Sequence, residues 1–211
     1  MLKTTSRVLI QSILMLLVLM VITGGIYPVA MTIFGRVVFP SQAGGSILTR
    51  SDGSPIGSSL IAQNFTSDIY FWPRPSASNY GVTFDNNGNL VLAASGASNL
   101  GPTSAALQAL VQQRAAAIIA ANNLPPDTPL AKIPSDLLFA SGSGLDPDIS
   151  PAAAQLQVAR VASARGVTVD QVQAIVNQYT EQPQFGVFGE PRVNVVLVNL
   201  ALDNAGYFQD F

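Results

Sequence analysis

From Val8 to Phe34 the chain reads VLIQSILMLLVLMVITGGIYPVAMTIF, 27 residues without a charge. A helix needs about 20 apolar residues to cross the hydrocarbon core of a bilayer, so this stretch predicts a transmembrane helix. Gln11 and Ser12 stand near its start, where the membrane interface tolerates them. Thr23-Gly24-Gly25 and Pro28 interrupt its second half and predict a kink there. Lys3, Arg7 and the free amino terminus precede the segment, and Arg36 follows it. The positive-inside bias then places the N-terminus in the cytoplasm and the bulk of the chain outside. A cleaved signal peptide is the competing reading, but the apolar core is too long and no small-x-small cleavage site follows at the right place. The expected plan is a cytoplasmic N-terminus over residues 1–7, an anchor helix over 8–34, a juxtamembrane linker over 35–45 and one extracytoplasmic domain over 46–211. In a bacterium this is a single-pass protein of the inner membrane with a periplasmic domain.

Composition narrows the chemistry open to that domain. Only 10% of the 211 residues are charged, against roughly 25% in an average soluble protein. The net charge is -2 and no basic block occurs, which argues against a nucleic-acid surface. There is no cysteine, so disulfides, thiolate metal sites and thiol nucleophiles are excluded. There is no histidine either, which removes His-ligated zinc and the Ser-His-Asp arrangement.

Along the domain, short apolar runs alternate with turn signals at first. ILTRSDGSPIG sets Asp52-Gly53 between two such runs, and VTFDNNGNLVL does the same around Asn87-Gly88; both read as hairpins. SLIAQNF and IYFWP read as extended pieces leading into the turn PRPSAS. Residues 47–92 are thus expected to be mostly antiparallel β. The second half reads as helical. TSAALQALVQQRAAAIIAANN starts at a Thr/Ser cap and stops before Pro125-Pro126. Arg114 falls among its apolar positions, paired with a buried carboxylate, snorkelling past the stripe, or touching a partner subunit. A second helix starts after Ser150 with Pro151 at its first position and ends at Gly166. A third starts at Thr168 with Gln171 at capping-box spacing and runs to about Thr180. VNVVLVNLAL closes the chain as an apolar, β-branched run expected to be a buried strand, with Asn194 and Asn199 on opposite faces. The architecture is α+β: one transmembrane helix, then one soluble domain of antiparallel strands and about three helices.

Two stretches resemble each other: ASGASNLGPTSAAL from Ala94 and ASGSGLDPDISPAAA from Ala140. Each runs Ala-Ser-Gly, Leu-x-Pro, a Ser/Thr cap and an alanine-rich helix. Unpaired N–H groups at a helix start suit an anion, and they equally suit nothing more than a cap. Neither stretch carries the lysine of a P-loop. Asp146 and Asp148, across Pro147, fall short of a calcium loop's ligand spacing. Lys132 is the only lysine beyond the anchor, with no Ser or Thr three residues before it for a Ser-Lys dyad. Glu181 and Glu190 are the only glutamates available to a glycosidase pair. Trp72 suits stacking on a sugar, or plain packing beside its Pro-rich turn. No constellation of catalytic residues emerges and no metal site is expected.

More specific wording follows one order along the chain: ITGGIYP, GSSLIAQNF, YFWPRPSAS, SGASNLGP, ASGSGLDPDISPAAAQLQVARVASARG and GEPRVNVVLVNLALD. Together these motifs resemble the family of C subunits (KdpC) of the bacterial Kdp potassium-transporting P-type ATPase, nearly from end to end. Family members usually carry Gly where Ala62 stands, and many carry His where Asp148 stands, which argues against an essential role for position 148.

The resemblance implies an accessory, non-catalytic subunit of a high-affinity, ATP-driven potassium uptake complex. Its implied partners are an ATP-hydrolysing P-type ATPase subunit, a channel-like potassium-binding subunit and a small membrane subunit. The family is described as a catalytic chaperone that raises the ATPase subunit's affinity for ATP. Gln157 matches the glutamine put forward as the nucleotide contact, so ATP is the one cofactor implied, and only through the complex. A domain outside the membrane cannot meet cytoplasmic ATP, so the topology favours a role in assembly and stabilisation. The alternative is an autonomous, membrane-anchored periplasmic binding module or glycan-acting enzyme. The remaining candidates, for interface or internal ion-pair roles, are Arg74, Asn99, Arg114, Ser141, Asp146, Arg160, Glu190 and Arg192.

Overall fold

The computed structural model describes residues 2–49, 53–81, 83–84, 90–91 and 94–206. The chain divides into two compact units, residues 1–47 and 48–211.

The first unit is one nearly continuous helix. Helix α1 (Leu2–Val21) passes through a π-helical turn at Ile22–Ile26 into α2 (Tyr27–Val38), and a short α3 (Pro40–Ala43) follows. The expected interruption at Thr23-Gly24-Gly25 is this π turn, in which the Tyr27 amide bonds back to the Ile22 carbonyl. Pro28 follows directly on this π turn, and such a local change of winding is how a continuous helix accommodates a proline without breaking. Thr23 and Thr32 each return their hydroxyl to the carbonyl four residues back, at 2.7 Å, so neither leaves a bare polar group. Residues 5–38 are long and apolar enough to cross a membrane. The stretch expected to be a linker from residue 35 is therefore helical as far as Val38 and again over Pro40–Ala43.

In the second unit the early region holds less β structure than expected. Strand β1 (Ile47–Thr49) neighbours β2 (Pro55–Ser58), and β3 (Thr83–Phe84) pairs antiparallel with β4 (Leu90–Val91). Asp52 and the Asn87-Gly88 turn lie outside the described residues. SLIAQNF and IYFWP are not strands. In IYFWP the backbone groups are taken up by side chains from distant helices, as described below, and in SLIAQNF the Ala62 amide donates to Leu145 O and Ser59 O accepts from Asn194, so neither stretch needs a ladder.

The helices follow their caps. Ser104 caps α4 (Ala105–Ala121). Ser150 caps α6 (Pro151–Arg165), which Gly166 closes in the left-handed conformation at φ +66°. Thr168 and Gln171 form a full capping box on α7 (Val169–Gln178). A short α5 (Ser135–Leu138) precedes β5 (Asp148–Ile149).

The closing apolar run is a helix, not a strand. Only Arg192–Asn194 forms a strand, β7, which lies between β5 and β6 (Thr180–Glu181) in a three-stranded antiparallel sheet. At Asn194 the side-chain oxygen accepts from the Leu197 amide and starts α8 (Val195–Asn204). A run apolar on every side fits a buried helix as well as a buried strand, and periodicity alone does not separate the two. Here the cap decides, and the β preference of the valines is overridden by burial on all sides: Val195, Val196, Val198 and Leu202 are all buried. Val195, Val198 and Leu202 pack with Val158, Val161, Val172 and Phe71 into the core.

Candidate functional site

The polar residues of α6 and α8 converge on one stretch of irregular backbone, Asp68–Trp72. Gln157 is 0% exposed. Its Oε1 accepts from the Trp72 amide at 2.8 Å and from Arg160 Nη2 at 2.7 Å. Its Nε2 donates to the carbonyls of Trp72 and Ala153, both at 3.2 Å. Two acceptor positions and two donors are the whole capacity of a glutamine amide, and all four are used inside the domain. Asn199 repeats the device one residue earlier: its Oδ1 accepts from the Phe71 amide at 2.8 Å and its Nδ2 donates to the Phe71 carbonyl at 3.0 Å. Each side chain thus does what a neighbouring strand does, pairing one residue's N–H and C=O.

Arginines take the carbonyls just upstream. Arg160 Nη1 donates to Asp68 O at 2.7 Å and Tyr70 O at 3.0 Å, and its Nε donates to Asn122 Oδ1. The guanidinium lies 4.6 Å from the centre of the Trp72 ring and covers one face of the indole, which is partly buried. Burial pulls the Arg160 pKa down to about 10 and nearby Asp68 offsets part of that, so the group stays charged at neutral pH. The Arg165 side chain is fully buried; Nε donates to Ile69 O at 2.6 Å and Nη2 to Asp203 at 2.9 Å. Tyr70 donates its hydroxyl to the other Asp203 oxygen.

A second group of candidates meets elsewhere. Arg74, Asp146, Glu190 and Arg192 line an open groove of about 1040 Å³, together with Lys132, Asp136 and Asp148. Arg74 pairs with Asp146 at 2.8 Å. The sheet register sets Arg192 of the central strand between two edge-strand carboxylates, Asp148 at 3.0 Å and Glu181. Burial raises the pKa of Asp148 from its ordinary value, and Arg192 opposes that only in part. Among the described residues no three carboxylates gather as a metal site.

The Gly-rich loop before α6 is a structural hub. The Gly144 amide donates to Ser141 Oγ, the Leu145 amide to Ser143 Oγ and the Asp148 amide to Asp146. The Ser150 amide donates to Asp136 at 2.6 Å. At the helix start itself the Ala153 amide donates to Ser150 Oγ and the Ala154 amide to Ser150 O, as in an ordinary cap. The two similar stretches pack on each other through Gly96 N donating to Ser143 O at 2.8 Å. Gly144 has φ +69°, and a Cβ there would meet the Ser78 hydroxyl and lie 2.6 Å from the Gly96 carbonyl.

The other candidates lie apart from both groups. Ser141 is buried in the hub. Asn99 is exposed and holds φ +53°. Arg114 donates to the Leu138 carbonyl at 2.8 Å, so its partner is backbone rather than a carboxylate. It lines a pocket of about 250 Å³ with Trp72 and Tyr80, whose hydroxyl burial pushes up to about 12. The sequence reading missed Arg165, Asn199 as a clamp, and Asp203. Asn199 left a signal, a lone amide in an apolar run; Arg165 read only as the basic end of a helix.

The K+-transporting ATPase c-chain family (KdpC) matches residues 9–204. The chain is 48% identical over 197 residues to the potassium-transporting ATPase KdpC subunit of Rhodospirillum rubrum, covering 93% of this chain and 95% of that one. It is 48% identical to the KdpC subunit of Geobacter metallireducens (91% and 95% covered) and 50% identical to that of Methylococcus capsulatus (91% and 95% covered). With one apolar N-terminal helix, an α+β unit behind it and a match over nearly its whole length, the chain belongs to the KdpC family.

Proposed function

We propose that this chain is the accessory subunit of a Kdp potassium-transporting ATPase, held in the bacterial inner membrane by its N-terminal helix. The N-terminus is cytoplasmic and the domain from residue 46 onward is periplasmic, as the positions of Lys3 and Arg7 ahead of the apolar segment favour. Its partners are the ATP-hydrolysing subunit, the channel-like subunit and the small membrane subunit. The subunit does not hydrolyse ATP; it stabilises the assembly, and any gain in the pump's ATP affinity passes through contacts with the other subunits. The end-to-end match to curated KdpC subunits carries this reading.

In this reading Gln157 is a positioning residue. A nucleotide contact requires a free donor or acceptor, and all four of its positions are bonded within the domain. Copurification tests the proposal. The tagged full-length chain, extracted in mild detergent, is expected to bring down a P-type ATPase and a channel-like protein with potassium-dependent ATP hydrolysis. Calorimetry on the chain alone is expected to show no ATP binding. Recovery of the chain by itself across gentle detergents, or ATP binding that is lost in Gln157→Ala, contradicts it.

A further inference from the structure

Between β6 and β7 the chain makes a tight turn, Gln184–Gly189, that turns its apolar side chains outward. Phe185 is 93% exposed, Val187 77% and Phe188 67%. Phe185 and Val187 are the most exposed large apolar residues among those described, the anchor included. The turn is firmly made. Gln184 and Phe188 exchange backbone hydrogen bonds at 2.8 and 2.9 Å, and the Gly186 amide bonds to Pro183 O at 2.9 Å. Phe185 holds φ +55°, a conformation unfavourable for a bulky residue, and its ring gains almost no burial in return.

We propose that this turn is a docking finger whose Phe185–Phe188 tip seats in an apolar socket, rimmed by positive charge, on another protein subunit of the membrane complex. The inference rests on the accessory-subunit reading. Exposed aromatics on a rigid support make the anchors that carry protein interfaces. Charge selects a protein over a lipid surface. Glu181 and Glu190 flank the turn, Glu190 makes no ion pair among the described residues, and the one nearby arginine, Arg192, is held by Asp148 and Glu181. The turn itself, residues 182–191, carries no lysine or arginine for anionic headgroups, which basic membrane-binding surfaces use. Area selects an auxiliary contact over a self-standing dimer, since three side chains fall well short of the roughly 800 Å² per partner of a standard interface. Such a small contact counts when the anchor already holds both proteins in one membrane and so raises the effective concentration.

The test places a photoreactive phenylalanine analogue at residue 185 of the full-length chain, expressed in membranes with the partner subunits. Val169, 48% exposed at the start of α7, serves as the control position. The expected result is an adduct to one partner subunit from position 185 and none from 169. The paired Phe185→Ser and Phe188→Ser variant is expected to melt as the wild type does, and to retain about tenfold less of that subunit through a detergent wash. Adducts with lipid alone, adducts with a second copy alone, or no adduct from 185 while the complex assembles normally overturn the finger and leave the accessory reading standing. Failure of the unmodified chain to bring down any partner subunit overturns both.

Discussion

The domain carries two clusters of arginine and carboxylate that look alike in composition and differ in environment. In the first, Arg160 and Arg165 are buried and both donate to the backbone of Asp68–Tyr70. In the second, Arg74 and Arg192 stand on the rim of an open groove and meet carboxylates there. Buried charges that lose a partner are costly, whereas exposed pairs contribute little because water and salt screen them. The first cluster therefore specifies the fold around Trp72, and the second only trims the surface of a groove.

Substitutions rank the two. Arg165→Met is expected to have the largest effect, about 3 kcal/mol, because Ile69 O loses its donor and Asp203 loses its cation and keeps only the Tyr70 hydroxyl. In a domain of this size that lowers the melting temperature by roughly 6–12 °C. A melt within 2 °C of the wild type breaks the comparison. Gln157→Ala comes next, at about 2 kcal/mol, since it strands both backbone groups of Trp72 and one donor of Arg160. Chemical denaturation checks it, and the loss is expected to persist at 1 M salt. Arg192→Ala is expected to cost less than about 1 kcal/mol and to lose even that at high salt.

The smallest effect concerns pH. The folded-state pKa of Asp148 is raised, so its contribution to stability is present below the ordinary carboxylate pKa and is lost as pH rises through the raised value. Asp148→Asn removes that loss. Relative to the wild type, the variant is expected to be more stable at pH 7.5 than at pH 4, as measured by paired thermal melts. A larger deficit at pH 7.5 than at pH 4 shows that the pair with Arg192 dominates instead.

Local signals made much of this legible in the sequence. Ser104, Ser150, Thr168 with Gln171, and Gly166 marked the helix ends, because caps act within one turn. The long apolar N-terminal helix was legible from length and composition alone. The closing run was not, because a buried helix and a buried strand share the same apolar composition until Asn194 is seen to cap. The clamp was the least legible part. Gln157 reaches Trp72 across 85 positions and Asn199 reaches Phe71 across 128, and no local pattern encodes such a pairing. The groove candidates were named individually, and only the register of β5, β7 and β6 brings Arg192 between its two carboxylates.

The central claim is that Gln157 spends its whole bonding capacity on the Trp72 segment. Hydrogen–deuterium exchange of the peptide spanning residues 68–73, in the full-length chain with and without ATP, tests it most directly. The expected result is slow exchange that ATP leaves unchanged and that Gln157→Ala accelerates. Fast exchange in the wild type, or protection that changes when ATP is added, would contradict the account and return Gln157 to the nucleotide.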